Sequence, residues 1–123
     1  MSARFLRIAA VYFVVAVALG LYMGMTTQFM QAPVHAHLNL LGWVSMGLFG
    51  LIYHAYPAAG ETKLAQWHFW VHNVSLPVFM IALFLMLGGN ESMGPVTGIA
   101  ATVTLIGIVL FAINLWRTIP AAK

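Results

Sequence analysis

Four long apolar stretches occupy almost the whole chain and constrain its fold more than any other feature. They run over about residues 4–28, 35–57, 62–88 and 95–118. At about 1.5 Å of helical rise per residue, each exceeds the roughly 30 Å hydrocarbon core of a bilayer. The connections between them are short and contain Pro, Gly and Asn, which are typical turn residues. The sequence therefore predicts an all-α integral membrane protein, with a single four-helix transmembrane bundle over residues 1–123.

The composition excludes several classes of function. Hydrophobic residues make up 63% of the chain and charged residues 6%, which is outside the range of soluble globular domains. Cysteine is absent, so disulfides and thiolate chemistry are excluded, and a metal or cofactor would be held by His, Met, Asn, Tyr or carboxylate groups. The net charge of +3 comes from scattered residues rather than a basic patch. We therefore expect the lipid bilayer, and not nucleic acid, as a partner.

The basic residues indicate the orientation of the chain in the membrane. In an up-and-down bundle of four helices, the N-terminus, the second connection and the C-terminus lie on one side. All five basic residues fall on that side, which the positive-inside rule makes cytoplasmic. We expect a multi-pass protein of a bacterial-type inner membrane with both termini in the cytoplasm. The five residues are Arg4, Arg7, Lys63, Arg117 and Lys123.

Two histidines, His35 and His37, stand at the outer end of the second stretch. Positions two apart on an α-helix are turned by about 200°, so these imidazoles should project from nearly opposite faces and serve different partners. A haem suits this arrangement, because imidazoles from two helices can bind the iron from opposite faces of the macrocycle. The alternative is that both are interfacial residues that meet water at the beginning of the helix. Gly42 follows, and a small residue permits close approach of a flat ligand or a neighbouring helix.

Three further histidines, His54, His68 and His72, lie toward the inner side. His68 and His72 are four positions apart and share a helix face, the spacing that two ligands of one small metal ion need. His54 is the candidate for a third ligand. The alternative is that His68 belongs with Trp67 and Trp70 to an aromatic belt at the inner interface, which leaves only His72 deeper in the membrane.

The outer histidine pair is part of a longer pattern that covers about residues 33–85. This pattern resembles two consecutive helices of subunit I of the haem–copper oxidases, particularly the C-type cytochrome c oxidases and the related nitric oxide reductases. The first and fourth apolar stretches match that family only in being apolar. The matching residues are His35-Ala-His37, Leu41-Gly42-Trp43-Val44, Phe49-Gly50, Tyr53 and, in the third stretch, His68-Phe69-Trp70.

The resemblance implies that the second helix carries haem ligands. In that family the first histidine of the pair binds the high-spin haem and the second binds the low-spin haem, so His35 resembles the former and His37 the latter. Trp43 and Gly42 belong to the matched motif and would lie against the haem. Haem b is therefore the expected cofactor, and copper is a second candidate.

The chain also departs from the family. An oxidase subunit I has about twelve helices, a further haem-ligating histidine on its second helix and three histidines at a copper site, and this sequence contains none of those motifs. The family's subunit is built as three four-helix arcs about a pseudo-threefold axis, and this chain has the size and layout of one arc. We therefore expect a symmetric homo-oligomer, most simply a homotrimer. In it, His37 of one copy and a histidine of the next, with His35 as the candidate, would bind haem b.

Three functions are compatible with these features. The first is a b-type cytochrome that transfers electrons from a quinol or cytochrome donor, or that binds a diatomic gas. The second is a minimal oxygen or nitric oxide reductase, a haem-dependent oxidoreductase assembled by oligomerisation, although the apolar spans contain no Asp or Glu that could supply protons. The third is a helper that delivers copper or haem to an oxidase. A complete oxidase within one chain is not expected.

Overall fold

The structure, a computed structural model, describes residues 1–121 and consists of helices joined by short connections. Within these residues four helices are long and apolar enough to cross a membrane, and no strand occurs. The predicted all-α architecture with four membrane-spanning helices is confirmed. Their bounds are Ser2–Thr26 for α1, Ala32–Ala55 for α2, Lys63–Leu87 for α3 and Gly94–Thr118 for α4.

Short connections place successive helices beside one another. Thr27 ends α1 in the left-handed region with a φ of 53°, and α2 begins five residues later, at Ala32. The second connection contains one helical turn, Pro57–Gly60, and the third contains the 3-10 turn Glu91–Met93. Connections of this length favour antiparallel neighbours in helical bundles.

Helix α2 begins earlier than the sequence pattern predicted. Pro33 lies in its first turn, where proline is favoured because the missing N–H would have no partner there and the fixed φ suits a helix. His35 and His37 therefore lie inside the helix rather than at its mouth. At the other end, Pro57 forces Tyr56 out of the helical region, to a φ of −125° and a ψ of 76°, so α2 ends at Ala55.

The middle of α2 is not a regular α-helix. Residues Ala32–His37 and Ser45–Ala55 are α-helical, but the intervening Leu38–Val44 forms a π-helix. The backbone N–H of Ser45 bonds to the carbonyl of Leu40, five residues back, as π geometry requires. Wide turns of this kind often lie near functional sites, and this one separates the outer histidines from the inner half of α2.

Glycines and small residues bring the helices together as two closely packed hairpins. On α1 and α2, a Cβ atom at Gly50 would come within 2.7 Å of Leu6 Cγ. On α3 and α4, the hydroxyls of Ser75 and Thr104 are hydrogen bonded at 2.8 Å, and a Cβ at Gly107 would lie 3.3 Å from the backbone nitrogen of His72. Close backbone approach of this kind is how membrane helices associate.

Polar contacts at the two ends of the bundle establish its up-and-down order. At one end, Asn114 of α4 donates to the carbonyl of Ala59 at 2.8 Å and accepts from the hydroxyl of Thr62 at 2.7 Å. At the other end, Gln31 donates to the carbonyl of Phe84 at 3.0 Å. A Cβ atom at Gly60 would lie 3.5 Å from the Cβ of Met1, so the beginning of α1, the second connection and the end of α4 lie together. Which side faces the cytoplasm stays a prediction, and Lys123 lies outside the described residues.

Large apolar side chains cover the outside of the bundle, as expected for a surface that contacts lipid. Trp116, for example, is 92% exposed, whereas the fully buried core contains Phe5, Met46 and Leu76. The outer surface of the described part of the chain therefore suits an apolar environment such as lipid. Other exposed apolar residues are Val11, Val14, Leu21, Leu51, Ile81, Ile99 and Leu105.

The two glycines of α4 give a matched test of this packing. We expect Gly107→Leu to destabilise the bundle by about 1–3 kcal/mol, because the new side chain meets the backbone of α3. Gly98→Leu makes the same chemical change where a Cβ would meet nothing within 4 Å, and it should leave stability nearly unchanged. Thermal unfolding of both variants in the same detergent measures the difference. Equal losses in both variants would contradict the packing of α3 on α4.

Candidate functional site

His35 is enclosed by α1. Its Nδ1 donates to the carbonyl of Ala16 at 2.8 Å, and its ring lies so close to Gly20 that a Cβ there would be 2.6 Å from the His35 Cε1. Because a carbonyl only accepts hydrogen bonds, Nδ1 carries the proton and Nε2 presents its lone pair. The Nε2 atom lies 3.5 Å from the amide nitrogen of Asn39, whose stronger bond goes to the His35 carbonyl at 2.9 Å.

His37 is the more accessible of the two outer histidines. Its Nδ1 donates to the carbonyl of Pro33, one turn earlier on α2, at 2.6 Å. The ring is half-exposed and meets the ring of Phe79 on α3 edge-on, with centroids 5.3 Å apart. With the proton held on Nδ1, Nε2 is left with a free lone pair. Metal-ligating histidines typically have this arrangement, in which one ring nitrogen donates to a carbonyl and the other binds the metal.

The two outer histidines therefore face different neighbours. His35 contacts α1 and His37 contacts α3, as their spacing of two positions predicted. Two imidazoles that diverge in this way cannot share a single small ion. Each imidazole can therefore bind only a separate metal centre, or pack only against its own neighbouring helix.

Gly42 and Trp43, the other residues expected beside a haem, both lie against α1. Gly42 is buried, and a Cβ there would come within 2.6 Å of the ring of Tyr12. Trp43 stacks on Phe13, with ring centroids 4.5 Å apart and planes inclined by 21°. The contacts of both residues are thus helix-packing contacts within one chain, and their contact with a haem stays a prediction.

His68 and His72 are fully buried in the centre of the bundle, each with no exposed surface. Trp67 and Trp70 point outward and are 65% and 59% exposed. The interpretation that His68 joins these tryptophans in an interfacial aromatic belt is therefore wrong. The reason is helical phase: His68 continues the buried face of α3, and the two tryptophans lie on the face turned away from it.

Aromatic rings surround this inner pair of histidines. His68 stacks on Phe5 with centroids 5.0 Å apart, and Phe49 meets His68 and His72 edge-on at 4.5 Å and 5.3 Å. The hydroxyl of Tyr53 is hydrogen bonded to His68 Nδ1 at 2.9 Å. The structure thus joins the inner half of α2 to α3 through a buried tyrosine–histidine pair, which local sequence patterns do not reveal.

The two inner imidazoles each keep one nitrogen without a partner among the described residues. His72 Nε2 donates to the carbonyl of Leu41 at 3.1 Å, which leaves His72 Nδ1 unpaired, and His68 Nε2 is also unpaired. The ring centroids are 5.9 Å apart. Chemically, the pair can offer two buried nitrogens on one helix face.

His54 does not join this pair. It is exposed and borders a shallow pocket of about 210 Å³ at the inner end of the bundle, whose other lining residues include Tyr53 and Glu61. Within residues 1–121 no three His, Cys, Asp or Glu side chains are grouped closely enough to hold a metal ion. A third ligand from His54 is therefore not supplied within one copy of the chain.

Two curated proteins are similar to this chain. The "cytochrome c oxidase subunit 1 homolog, bacteroid" of Bradyrhizobium diazoefficiens is 30% identical in an alignment that covers 69% of this chain and 21% of that protein. The cytochrome c oxidase subunit 1 of Rhodobacter capsulatus is 24% identical in an alignment that covers 69% of this chain and 22% of that protein. The chain spans about a fifth of the length of these relatives. No family model matches it, and no solved structure matches it.

These similarities support a distant relation to subunit I of the haem–copper oxidases. The relation agrees with the resemblance found in the second and third apolar stretches. The similarity covers only a segment of a much longer protein. It therefore does not show that this chain has the activity of the whole relative.

The enclosure of His35 can be tested with two glycines on α1. We expect Gly20→Ala to lower stability by about 1–3 kcal/mol, because the added methyl group displaces the ring of His35. Gly24→Ala adds the same group where nothing lies within 4 Å, and it should be neutral or slightly stabilising, since alanine favours helices. Thermal unfolding measures both.

A double variant makes this test specific to His35. In the His35→Ala background, the added methyl group at position 20 has no ring to displace, so Gly20→Ala should lose most of its cost. An unchanged cost in that background would show that His35 does not pack on Gly20.

Proposed function

We propose that this protein is a membrane haem b-binding protein, related to haem–copper oxidase subunit I, in which His37 is an axial ligand of the haem iron. The observation that carries the proposal is the geometry of His37: Nδ1 is tied to the Pro33 carbonyl, and Nε2 is free on a half-exposed ring. The distant similarity to cytochrome c oxidase subunit 1 supports haem as the ligand. When bound, the haem supplies reversible one-electron chemistry or a site for a diatomic gas.

The surroundings of His37 also support a bound ligand. A polar side chain within a membrane-spanning segment is costly unless a partner satisfies it, and such residues are usually functional. The His37 ring meets Phe79 edge-on and is only partly buried, so a flat apolar macrocycle could cover the ring surface that stays exposed while the iron takes the Nε2 lone pair. This chain would then orient the haem through the Pro33 bond, which fixes the plane of the imidazole.

A second copy of the chain would complete the site. Within one copy, the other outer histidine faces α1 rather than His37, so the opposite face of the haem must be covered by a neighbouring molecule or by lipid. We propose a cyclic homo-oligomer, most simply a homotrimer that resembles the three arcs of the oxidase subunit. A histidine of the next copy, with His35 as the candidate, would be the second axial ligand.

Electron transfer is the function that two axial histidines favour, since a low-spin haem exchanges electrons without binding substrate. A quinol or a cytochrome would be the donor. We also propose that the protein lies in a bacterial-type inner membrane with both termini in the cytoplasm, which places the outer histidines near the opposite surface.

Gas binding is the second candidate, and a specific observation favours it. His35 is already engaged by the Ala16 carbonyl, by Gly20 and by the amide of Asn39. If it keeps these contacts in the oligomer, the iron has one protein ligand and one open position, which oxygen or nitric oxide could occupy. A reductase assembled by oligomerisation would in addition consume the gas. A helper protein would instead pass copper or haem to an oxidase.

An optical spectrum tests the proposal directly. The protein purified from haem-supplied cells should show a Soret band that shifts on dithionite reduction. His37→Ala should lower haem occupancy about tenfold or more, and His54→Ala, which removes an exposed histidine at the other end of the bundle, should leave it unchanged. His37→Met should retain haem with a raised reduction potential, because Met/His ligation raises it.

Carbon monoxide then separates the two candidate functions. A reduced spectrum that does not change with carbon monoxide indicates two axial histidines and electron transfer, whereas a shifted Soret band indicates an open position and gas binding. A purified protein without a Soret band, or a His37→Ala variant with full haem occupancy, would contradict the proposal.

A further inference from the structure

The π-helical segment of α2 leaves one backbone carbonyl without its usual partner. In an α-helix the carbonyl of Leu41 would accept from the N–H of Ser45, four residues later. Here the N–H of Ser45 bonds to the carbonyl of Leu40, and the Ser45 hydroxyl donates to that same carbonyl at 2.6 Å. The π-helix ends at Val44 and α geometry resumes at Ser45, so the Leu41 carbonyl lies where the bonding pattern changes. It needs another donor there, because an unpaired backbone group is costly inside a membrane.

His72 supplies that donor from α3. Its Nε2 donates to the Leu41 carbonyl at 3.1 Å, and its side chain is fully buried. The ring of Phe49 packs edge-on against it, and Gly107 lets α4 approach the His72 backbone closely. The imidazole is thus held in place by contacts with the neighbouring helices, and it satisfies the Leu41 carbonyl at the end of the π segment.

We propose that His72 is a positioning residue for the outer histidines. Its bond to Leu41 keeps Leu38–Val44 in the π-helical form and so determines the direction in which His35 and His37 project. This inference rests on the proposed haem-binding function, because the direction of His37 matters most when its Nε2 binds iron.

The direction depends on the π segment because a π-helix contains more residues per turn than an α-helix. A return of Leu38–Val44 to α geometry would rotate one end of α2 against the other. The inner end is anchored, since Tyr53 bonds to His68 at 2.9 Å and Phe49 lies in the aromatic core. The outer end is held by the bonds of His35 to Ala16 and of Gln31 to Phe84. A rotation of that end would strain these two bonds and turn His37 away from Phe79.

The chain offers a clean spectroscopic test of this bond. A leucine is followed by a glycine at only three places, Leu19-Gly20, Leu41-Gly42 and Leu87-Gly88. Labelling with carbonyl-13C leucine and 15N glycine therefore gives three correlated NMR signals in nanodiscs. His72→Leu should shift the Leu41 carbonyl signal and leave the other two in place, and His72→Gln, whose side-chain amide can donate from a similar distance, should restore it.

A neighbouring histidine provides the matched control. His68→Leu removes an equally buried imidazole from the same face of α3, but its partner is Tyr53 rather than the π segment, so the Leu41 signal should stay. In the same samples, ring-to-ring nuclear Overhauser contacts between His37 and Phe79 report the direction of His37. They should be lost in His72→Leu and regained in His72→Gln. A Leu41 signal or a His37–Phe79 contact that survives in His72→Leu would overturn the inference.

Two further measurements distinguish the proposed role of His72 from a folding defect in the variants and from the proposed haem binding. In the unmodified protein, 15N NMR of His72 should show the proton on Nε2, and a proton on Nδ1 would overturn the inference without any variant. With haem present, His72→Leu should change the axial-ligand signature in electron paramagnetic resonance, and His72→Gln should restore it. An unmodified protein that binds no haem would refute the proposed function, while the NMR measurements would still decide the role of His72.

Discussion

Inside a bilayer, every backbone polar group of the chain needs a partner within the protein, and this constraint organises the bundle. The clearest case is the hydrogen bond from His72 to the Leu41 carbonyl, which joins the helix of the core histidines to the helix of the outer histidines. Buried side chains also form hydrogen bonds between helices: Tyr53 pairs with His68, and Ser75 pairs with Thr104. The helices therefore pack in positions that allow these polar groups to form hydrogen bonds with one another.

His37 differs from His35, His68 and His72 in its accessibility. An unpaired nitrogen alone does not set it apart, since His68 and His72 also keep one each. His35 is enclosed by α1, and His68 and His72 are enclosed by the aromatic core. His37 has its Nδ1 satisfied but presents a free Nε2 on a half-exposed ring in a membrane-spanning segment. In a chain without cysteine and with few charged groups, this nitrogen is the best-prepared ligand at the outer end. The distant similarity to cytochrome c oxidase subunit 1 is the basis for proposing haem as the group that this nitrogen binds.

Sequence patterns were sufficient for the features that depend on local repetition. The lengths of the apolar stretches predicted the four helices, and the spacing of His35 and His37 predicted that they face different neighbours. The sequence also contains a pattern that indicates the burial of His68. Ala65, His68, His72 and Leu76 repeat every three or four positions on one helix face, although the neighbouring tryptophans favoured an interfacial position. That repeat indicates a buried position for all four residues.

Other features depend on contacts between distant parts of the chain and have no local signal. The π segment needs a donor from His72, 31 positions away, and nothing in Leu38–Val44 itself indicates that donor. Gly42 and Trp43 matched a haem-bearing motif, yet their contacts with Tyr12 and Phe13 depend on how α1 lies across α2. A sequence motif can therefore identify candidate site residues, but the residues that each of them contacts depend on the packing of the helices.

The central claim is that copies of this chain hold haem together at the outer ends of their second helices. Native mass spectrometry of the complex released from nanodiscs tests it most directly, because it reports subunit number and bound haem in the same ion. The account predicts an oligomer, most simply a trimer, that carries haem and loses it when dissociated into single chains. A haem-free oligomer, or a single chain that retains haem by itself, would contradict the account.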